Sequence, residues 1–174
     1  EQRKNPRDVL PVVTQLLALH AGTGYVHMAA DLTPVYGSGG TVTALQREIV
    51  YLEPDVVVIY DRATTSASSQ QVWQLAMPAM PTISGTQTTE TAAGHQLTIV
   101  RAAPSSATGS VYDYTADSDY TGGYRLDETA AGGDVRWLHV LWIDGAVTSQ
   151  QALDDNTVEL QLAGGQTATV AFRP

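Results

Sequence analysis

The sequence predicts an all-β chain, an antiparallel β-sandwich with little helix. Short apolar runs recur at close spacing, with glycine, proline or acidic turn signals between them. No segment carries the apolar periodicity of a three-turn helix. The stretch REIVYLEPDVVVIYD, Arg47 to Asp61, reads as a hairpin apolar on both faces, which requires cover on both sides.

That hairpin sets its own register. Glu53, Pro54 and Asp55 form a three-residue loop that pairs Leu52 with Val56, and therefore Arg47 with Asp61. A two-residue loop would oppose Glu48 to Asp61, where facing like charges destabilise. In the longer-loop register Ile49, Tyr51, Val57 and Ile59 share one face. Val50, Leu52, Val56, Val58 and Tyr60 share the other. Arg47 and Asp61 then read as a structural cross-strand ion pair at the open end of the hairpin.

Composition narrows the function classes. At 174 residues the chain is long enough for one domain with a substantial core, and 43% hydrophobic against 16% charged residues marks it as globular. A net charge of −9 argues against nucleic acid or an anionic membrane as partner, since both need a basic footprint. Cysteine is absent, which removes disulfides, thiol catalysis and cysteine metal sites. No run reaches the roughly 18 apolar residues of a membrane span. EQRKNPRD is not a signal peptide, and the abrupt start suggests a mature product or a fragment.

In chain order, residues 1–8 are a polar lead-in to a single domain. Thr14 to Leu19 reads as a strand closed by His20, with a helix from Val12 to Leu19 as the competing assignment. AGTG turns the chain into Tyr25 to Asp31, and DLTPVYGSGG is a loop before the strand Thr41 to Leu52. After Asp61, ATTSASSQ reads as a polar connection to the strand Gln71 to Met77, which Pro78 and Pro81 bracket. Thr86 to Thr91 and His95 to Arg101 form a hairpin around TAAG. Pro104 to Gly109 is loop-like, Val111 to Tyr114 a short strand, and Asp117 to Gly123 an acidic glycine loop. Arg136 to Ile143, RWLHVLWI, is a strong strand ended by Asp144 and Gly145. Thr157 to Leu162 and Thr167 to Phe172 form a two-residue glycine hairpin around AGGQ.

Four histidines, His20, His27, His95 and His139, are candidates for acid–base work or zinc binding, although their spacing gives no metal motif. His20 and His27 fall on adjacent arms of one hairpin, and Asp31 follows His27 by four residues. A partly buried structural histidine is the alternative reading of each. DSDYTGGYRLDE matches a calcium loop formally, with Asp117 and Asp119 at positions 1 and 3 and Glu128 at position 12, but its flanks do not look helical. A solvated acidic loop is the alternative. Tyr112, Tyr114, Tyr120 and Tyr124 are the best candidates for sugar contact, while Trp73, Trp137 and Trp142 fall in strands and core. There is no nucleophile elbow, phosphate loop, dinucleotide fingerprint or zinc-hydrolase helix.

One ordered series of pieces is more specific. Asp31, Thr33 and Tyr36 in AADLTPVYG precede Arg47, Tyr51, Pro54 and Asp61 in REIVYLEPDVVVIYDRA, and the Trp73 strand VWQLAMPAMP follows. From about Tyr25 to Pro81 this series resembles the β-sheet region of heparinase II/III-like polysaccharide lyases. The resemblance implies a supersandwich-like β domain, secreted or periplasmic, that in a larger parent follows a helical toroid. It also implies β-elimination of an acidic, uronate-containing polysaccharide: one group neutralises the uronate carboxylate, a base removes the C5 proton, and an acid protonates the leaving oxygen. The expectation is a fragment that helps form the cleft but lacks the toroid and is catalytically incomplete alone. His27 and Tyr25 are the catalytic candidates, and a free-standing carbohydrate-binding or structural sandwich is the alternative.

Overall fold

The computed structural model describes residues 14–36, 40–115 and 122–173. Strands β1 (Gln15–Gly22) and β2 (Tyr25–Asp31) form the first hairpin, and a 3-10 turn over Thr33–Tyr36 leads to the central hairpin of β3 (Val42–Leu52) and β4 (Val56–Thr65). There follow β5 (Gln70–Met77), β6 (Thr82–Ser84), β7 (Gln87–Ala92), β8 (His95–Ala103), β9 (Thr108–Asp113), β10 (Tyr124–Ala131) and β11 (Asp134–Ile143). The chain closes with β12 (Val147–Asp154), β13 (Thr157–Leu162) and β14 (Thr167–Ala171).

These strands build three antiparallel sheets. The largest has eight strands in the order β1-β2-β3-β4-β11-β8-β7-β6, and the other two run β5-β10-β9 and β12-β13-β14. Each small sheet covers one face of the large one. The first core joins Val56, Val58 and Tyr60 of β4 and Leu138 and Val140 of β11 to Val147, Val158, Leu160 and Val170 of the β12-β13-β14 sheet. The second joins Ile59 and Ala63 of β4, Ile99 of β8 and Trp137 of β11 to Trp73, Met77, Leu126 and Ala130 of the β5-β10-β9 sheet.

The central hairpin belongs to both cores because side chains alternate along a strand. Val50 and Leu52 pack with Val56, Val58 and Tyr60 into the first, and Ile49 and Val57 pack with Ile59 into the second. Its register pairs Leu52 with Val56 and Arg47 with Asp61. The hairpin runs further than the sequence suggests, however, with Val42 pairing Thr65. Arg47 and Asp61 therefore lie within the ladder rather than at its open end, and Ala63 to Thr65 continue β4 instead of starting a connection. Val58, Leu138, Val140, Val158 and Leu160 are fully excluded from solvent, each contributing about 1.5–3 kcal/mol of transfer free energy.

Gln15 to Gly22 is strand, as expected from Thr14 to Leu19, and not the competing helix; Val12 and Val13 lie outside the described residues. Two further expectations are corrected. The AGGQ hairpin has a three-residue loop: Leu162 N–H donates to Gln166 O, Gly165 N–H donates to Leu162 O, and Gly165 sits at φ 82°. That is a turn followed by a left-handed glycine bulge, which only a residue without Cβ adopts readily. The largest correction is β10, where the sequence suggested an acidic loop. Leu126, Glu128 and Ala130 alternate inward and are buried, and the strand pairs β5 on one side and β9 on the other.

Candidate functional site

The β1-β2-β3 edge of the large sheet holds two of the four histidine candidates, His20 and His27. The hairpin register sets His20 opposite His27 and Gly22 opposite Tyr25. Gly22 carries no side chain where the Tyr25 ring lies: a Cβ built there would fall 2.2 Å from Tyr25 Cε1. The ring thus folds back across the strand end, with its centroid 5.8 Å from that of His20. His27 turns to β3 rather than to Asp31, and its Nε2 lies 3.0 Å from Glu48 Oε2. The other Glu48 oxygen accepts from Arg62 Nη2 at 2.8 Å. Asp31 instead closes the following turn, accepting from Thr33 N–H at 2.9 Å, and hydrogen bonds from the Thr33 side chain and backbone hold its carboxyl below the usual range.

This edge can hold and move a proton. A carboxylate only accepts, so the Glu48 contact favours the His27 tautomer protonated on Nε2 and leaves Nδ1 as the proton acceptor. Arg62 fixes Glu48 in turn, and Tyr25 adds a hydroxyl on the same face of the sheet.

On the opposite face of β3, Arg47 Nε and Nη2 donate to Asp61 Oδ1 and Oδ2 at 2.6 and 2.7 Å. The Asp61 side chain is 3% exposed and that of Arg47 39%. The pair lines a cleft of about 560 Å3 that also touches Tyr36, Gln70, Gln71, Val72, Trp73, Gln74 and Trp137. The Asp61 hydrogen bond, against the cost of burial, holds the Arg47 guanidinium more firmly protonated, and Tyr36 adds to the effect.

Behind the cleft lies a buried polar cluster absent from the sequence reading. His139 is flanked by near-parallel Trp73 and Trp137 rings, with centroids 3.8 and 6.0 Å away. Its Nε2 is 2.6 Å from Glu128 Oε2, and Glu128 Oε1 accepts from Arg101 Nη1 at 2.6 Å. Arg101 also donates to the carbonyls of Pro104 and Ala107. Burial pushes His139 below the ordinary histidine range, against the opposing pull of Glu128. With no access to solvent it is a structural residue joining two layers. The sequence offered a structural reading of His139, but nothing local in it named the partner.

The same cluster settles where Glu128 sits. The calcium-loop reading places it in a loop, whereas it lies in β10 with both carboxylate oxygens occupied by protein donors. Asp117 and Asp119 lie outside the described residues. Among the described residues no group of three or more metal-ligating side chains converges.

Of the tyrosines, Tyr112 and Tyr114 meet at 4.7 Å between ring centroids. Arg125 reaches over both rings and donates from Nη1 to the Tyr114 hydroxyl at 2.6 Å. Asp127 accepts from the same guanidinium at 2.6 and 2.9 Å. Tyr124 points inward and packs on the second core instead. Tyr120 lies outside the described residues. His95 stands apart from the other histidines, paired with Asp144 at 2.6 Å, and this hydrogen bond raises it above the ordinary histidine range. Arg101, Arg125 and Arg136 each pair with an acid, Glu128, Asp127 and Asp134, and form no common basic face.

No family model and no curated protein matches the sequence. Solved structures do match its fold. A heparinase III crystal structure superposes with a TM-score of 0.68 at 14% identity, covering 92% of this chain and 27% of that one. Heparan sulfate lyase HepC from Pedobacter heparinus gives 0.67 at 14%, covering 92% and 28%. A heparinase III gene product gives 0.67 at 13%, covering 91% and 28%. At these identities the likeness is one of fold, and it extends over nearly the whole chain. The chain spans just over a quarter of the length of each of these proteins. No helix among the described residues is long and apolar enough to cross a membrane.

Proposed function

We propose that this chain is the β-sandwich part of a secreted or periplasmic polysaccharide lyase, and that it helps form the cleft in which an acidic, uronate-containing polysaccharide undergoes β-elimination. The observation that carries this reading is the fold shared with heparinase III and a heparan sulfate lyase over more than nine tenths of the chain. In this reading the β1-β2-β3 edge supplies part of the chemistry: His27, oriented by Glu48, takes the C5 proton, and Tyr25 protonates the leaving oxygen.

The carboxylate neutraliser and much of the substrate grip come, in this reading, from a helical toroid in the same parent. A chain of net charge −9 repels a polyanion on its own, so the larger part must supply positive potential. The isolated domain is therefore catalytically incomplete. The test is the ultraviolet absorbance of the unsaturated product when the full-length parent meets heparin, heparan sulfate, chondroitin or alginate. Turnover of one of these supports the reading, and no turnover of any uronate polymer overturns it.

A second reading, a carbohydrate-binding sandwich without catalysis, draws on the Tyr112, Tyr114 and Arg125 patch on the outer face of β9 and β10. An exposed ring, Tyr112, beside the half-buried Tyr114 and a cation suits sugar stacking. Oligosaccharide binding lost in Tyr112→Ala, with no turnover by the parent, would favour it.

A further inference from the structure

The cleft beside Arg47 has the makings of a ligand site. Its volume of about 560 Å3 falls within the roughly 300–1,000 Å3 of small-molecule sites. Five successive residues of β5, Gln70 to Gln74, line it. Since alternate side chains on a strand point to opposite faces, five in a row place the strand's edge itself along the cleft. Among the described residues β5 is an edge strand of its sheet, so this wall offers backbone N–H and C=O groups that no described strand pairs, between the amides of Gln70 and Gln74.

The electrostatics distinguish this cleft from the rest of an acidic chain. Among the described residues Asp61 is the only acid in its lining, and both carboxylate oxygens are already taken by Arg47. Nε and Nη2 make that pair, which leaves the Nη1 donors of a rigidly held, partly exposed guanidinium available. Tyr36, half exposed, stands across the opening with a ring and a hydroxyl. Donors, amides and one exposed aromatic ring, without an uncovered acid, match a sugar unit carrying a single carboxylate.

We propose that the cleft between β3, the Thr33–Tyr36 turn and the β5 edge binds one uronate unit of an acidic oligosaccharide. Arg47 Nη1 and the Tyr36 hydroxyl receive the carboxylate, and Gln70, Gln74 and the β5 edge receive ring hydroxyls. The uronate assignment rests on the lyase reading above; the site itself rests on the cleft. It lies on the opposite face of the sheet from His27, so it holds the polymer away from the reacting unit.

The experiment is calorimetric and NMR titration of the chain with a glucuronate-containing tetrasaccharide and with its carboxyl-reduced counterpart. Tyr36→Ala and Gln74→Ala are the variants, because both side chains are exposed and their loss spares the core. The expected result is saturable binding that perturbs the Gln70 to Gln74 amides, and that weakens about tenfold for the reduced sugar and several-fold in each variant. Absent binding, equal binding of the reduced sugar, or variants that bind like the wild type overturn the proposal. Lyase turnover by the parent is measured separately. An inactive parent whose sandwich still binds uronate through Gln74 refutes the lyase reading and keeps the site, whereas an active parent with unchanged KM in Gln74→Ala refutes the site alone.

Discussion

His139 of β11 and Glu128 of β10 join two layers of the sandwich through one contact of 2.6 Å, with neither side chain more than 2% exposed. Arg101 completes the group from β8. Three polar side chains in a dry interface cost desolvation, and they are tolerated because each meets a partner of matching chemistry.

Removing the carboxylate from this cluster leaves a buried guanidinium without its counter-charge. Glu128→Ala is expected to destabilise the fold by about 3–5 kcal/mol in urea unfolding near neutral pH. A loss below about 1 kcal/mol would show that the layers are held by their apolar contacts alone.

Histidine burial gives a signed pH dependence. His139 is held below the ordinary value near 6.5, chiefly by burial, so below that value the unfolded chain binds a proton that the native chain refuses. Stability therefore falls as pH drops from about 7.5 to about 5.5. His95 acts in the opposite sense: raised by Asp144, it contributes stability present below the ordinary value and lost as pH rises through its folded one. Comparison with His139→Gln isolates the buried group. The variant should show a flatter fall in stability over this range, and an unchanged slope would refute the assignment.

Arg47 and Asp61 are coupled across the central hairpin. Arg47→Gln strands a buried carboxylate and is expected to cost about 2–3 kcal/mol, less than for a fully buried pair because solvent screens the arginine. Asp61→Asn in the Arg47→Gln background should recover part of that loss. Strict additivity in the double-mutant cycle would mean that the two side chains do not interact.

A methyl group at Gly22 competes with the Tyr25 ring. The ring tip is only partly buried, so it can swing away at little cost, and Gly22→Ala should change stability by less than about 1 kcal/mol. Aromatic shifts of His20 and Tyr25 should move together in NMR spectra. Unmoved shifts would place the ring elsewhere.

The sequence was most legible where local chemistry and long-range packing agreed. Turn residues and facing charges specified the Arg47 to Asp61 register, and two apolar faces foretold the covering sheets on both sides of β4. β10 was hidden because its inward alternation passes through Glu128, a residue that a pattern reader places in water. Its counter-charge lies 27 residues upstream on Arg101, a distance that only the folded topology spans. β12 was missed for a different reason: VTSQQALD is mostly exposed, and only Val147 is buried. At the site, the His20 and His27 pairing followed from the hairpin, while the Glu48 partner of His27 came from the next strand and carried no local signal.

In the proposed function His27 and Tyr25 serve a lyase that this chain does not complete alone. The direct measurement is ultraviolet absorbance of unsaturated product from heparin, heparan sulfate, chondroitin and alginate, with the 174-residue chain and the parent side by side. The expected outcome is no product from the chain, turnover by the parent, and a fall of about 100-fold or more in kcat for the parent's His27→Ala variant. Turnover by the isolated chain that disappears in His27→Ala would contradict it.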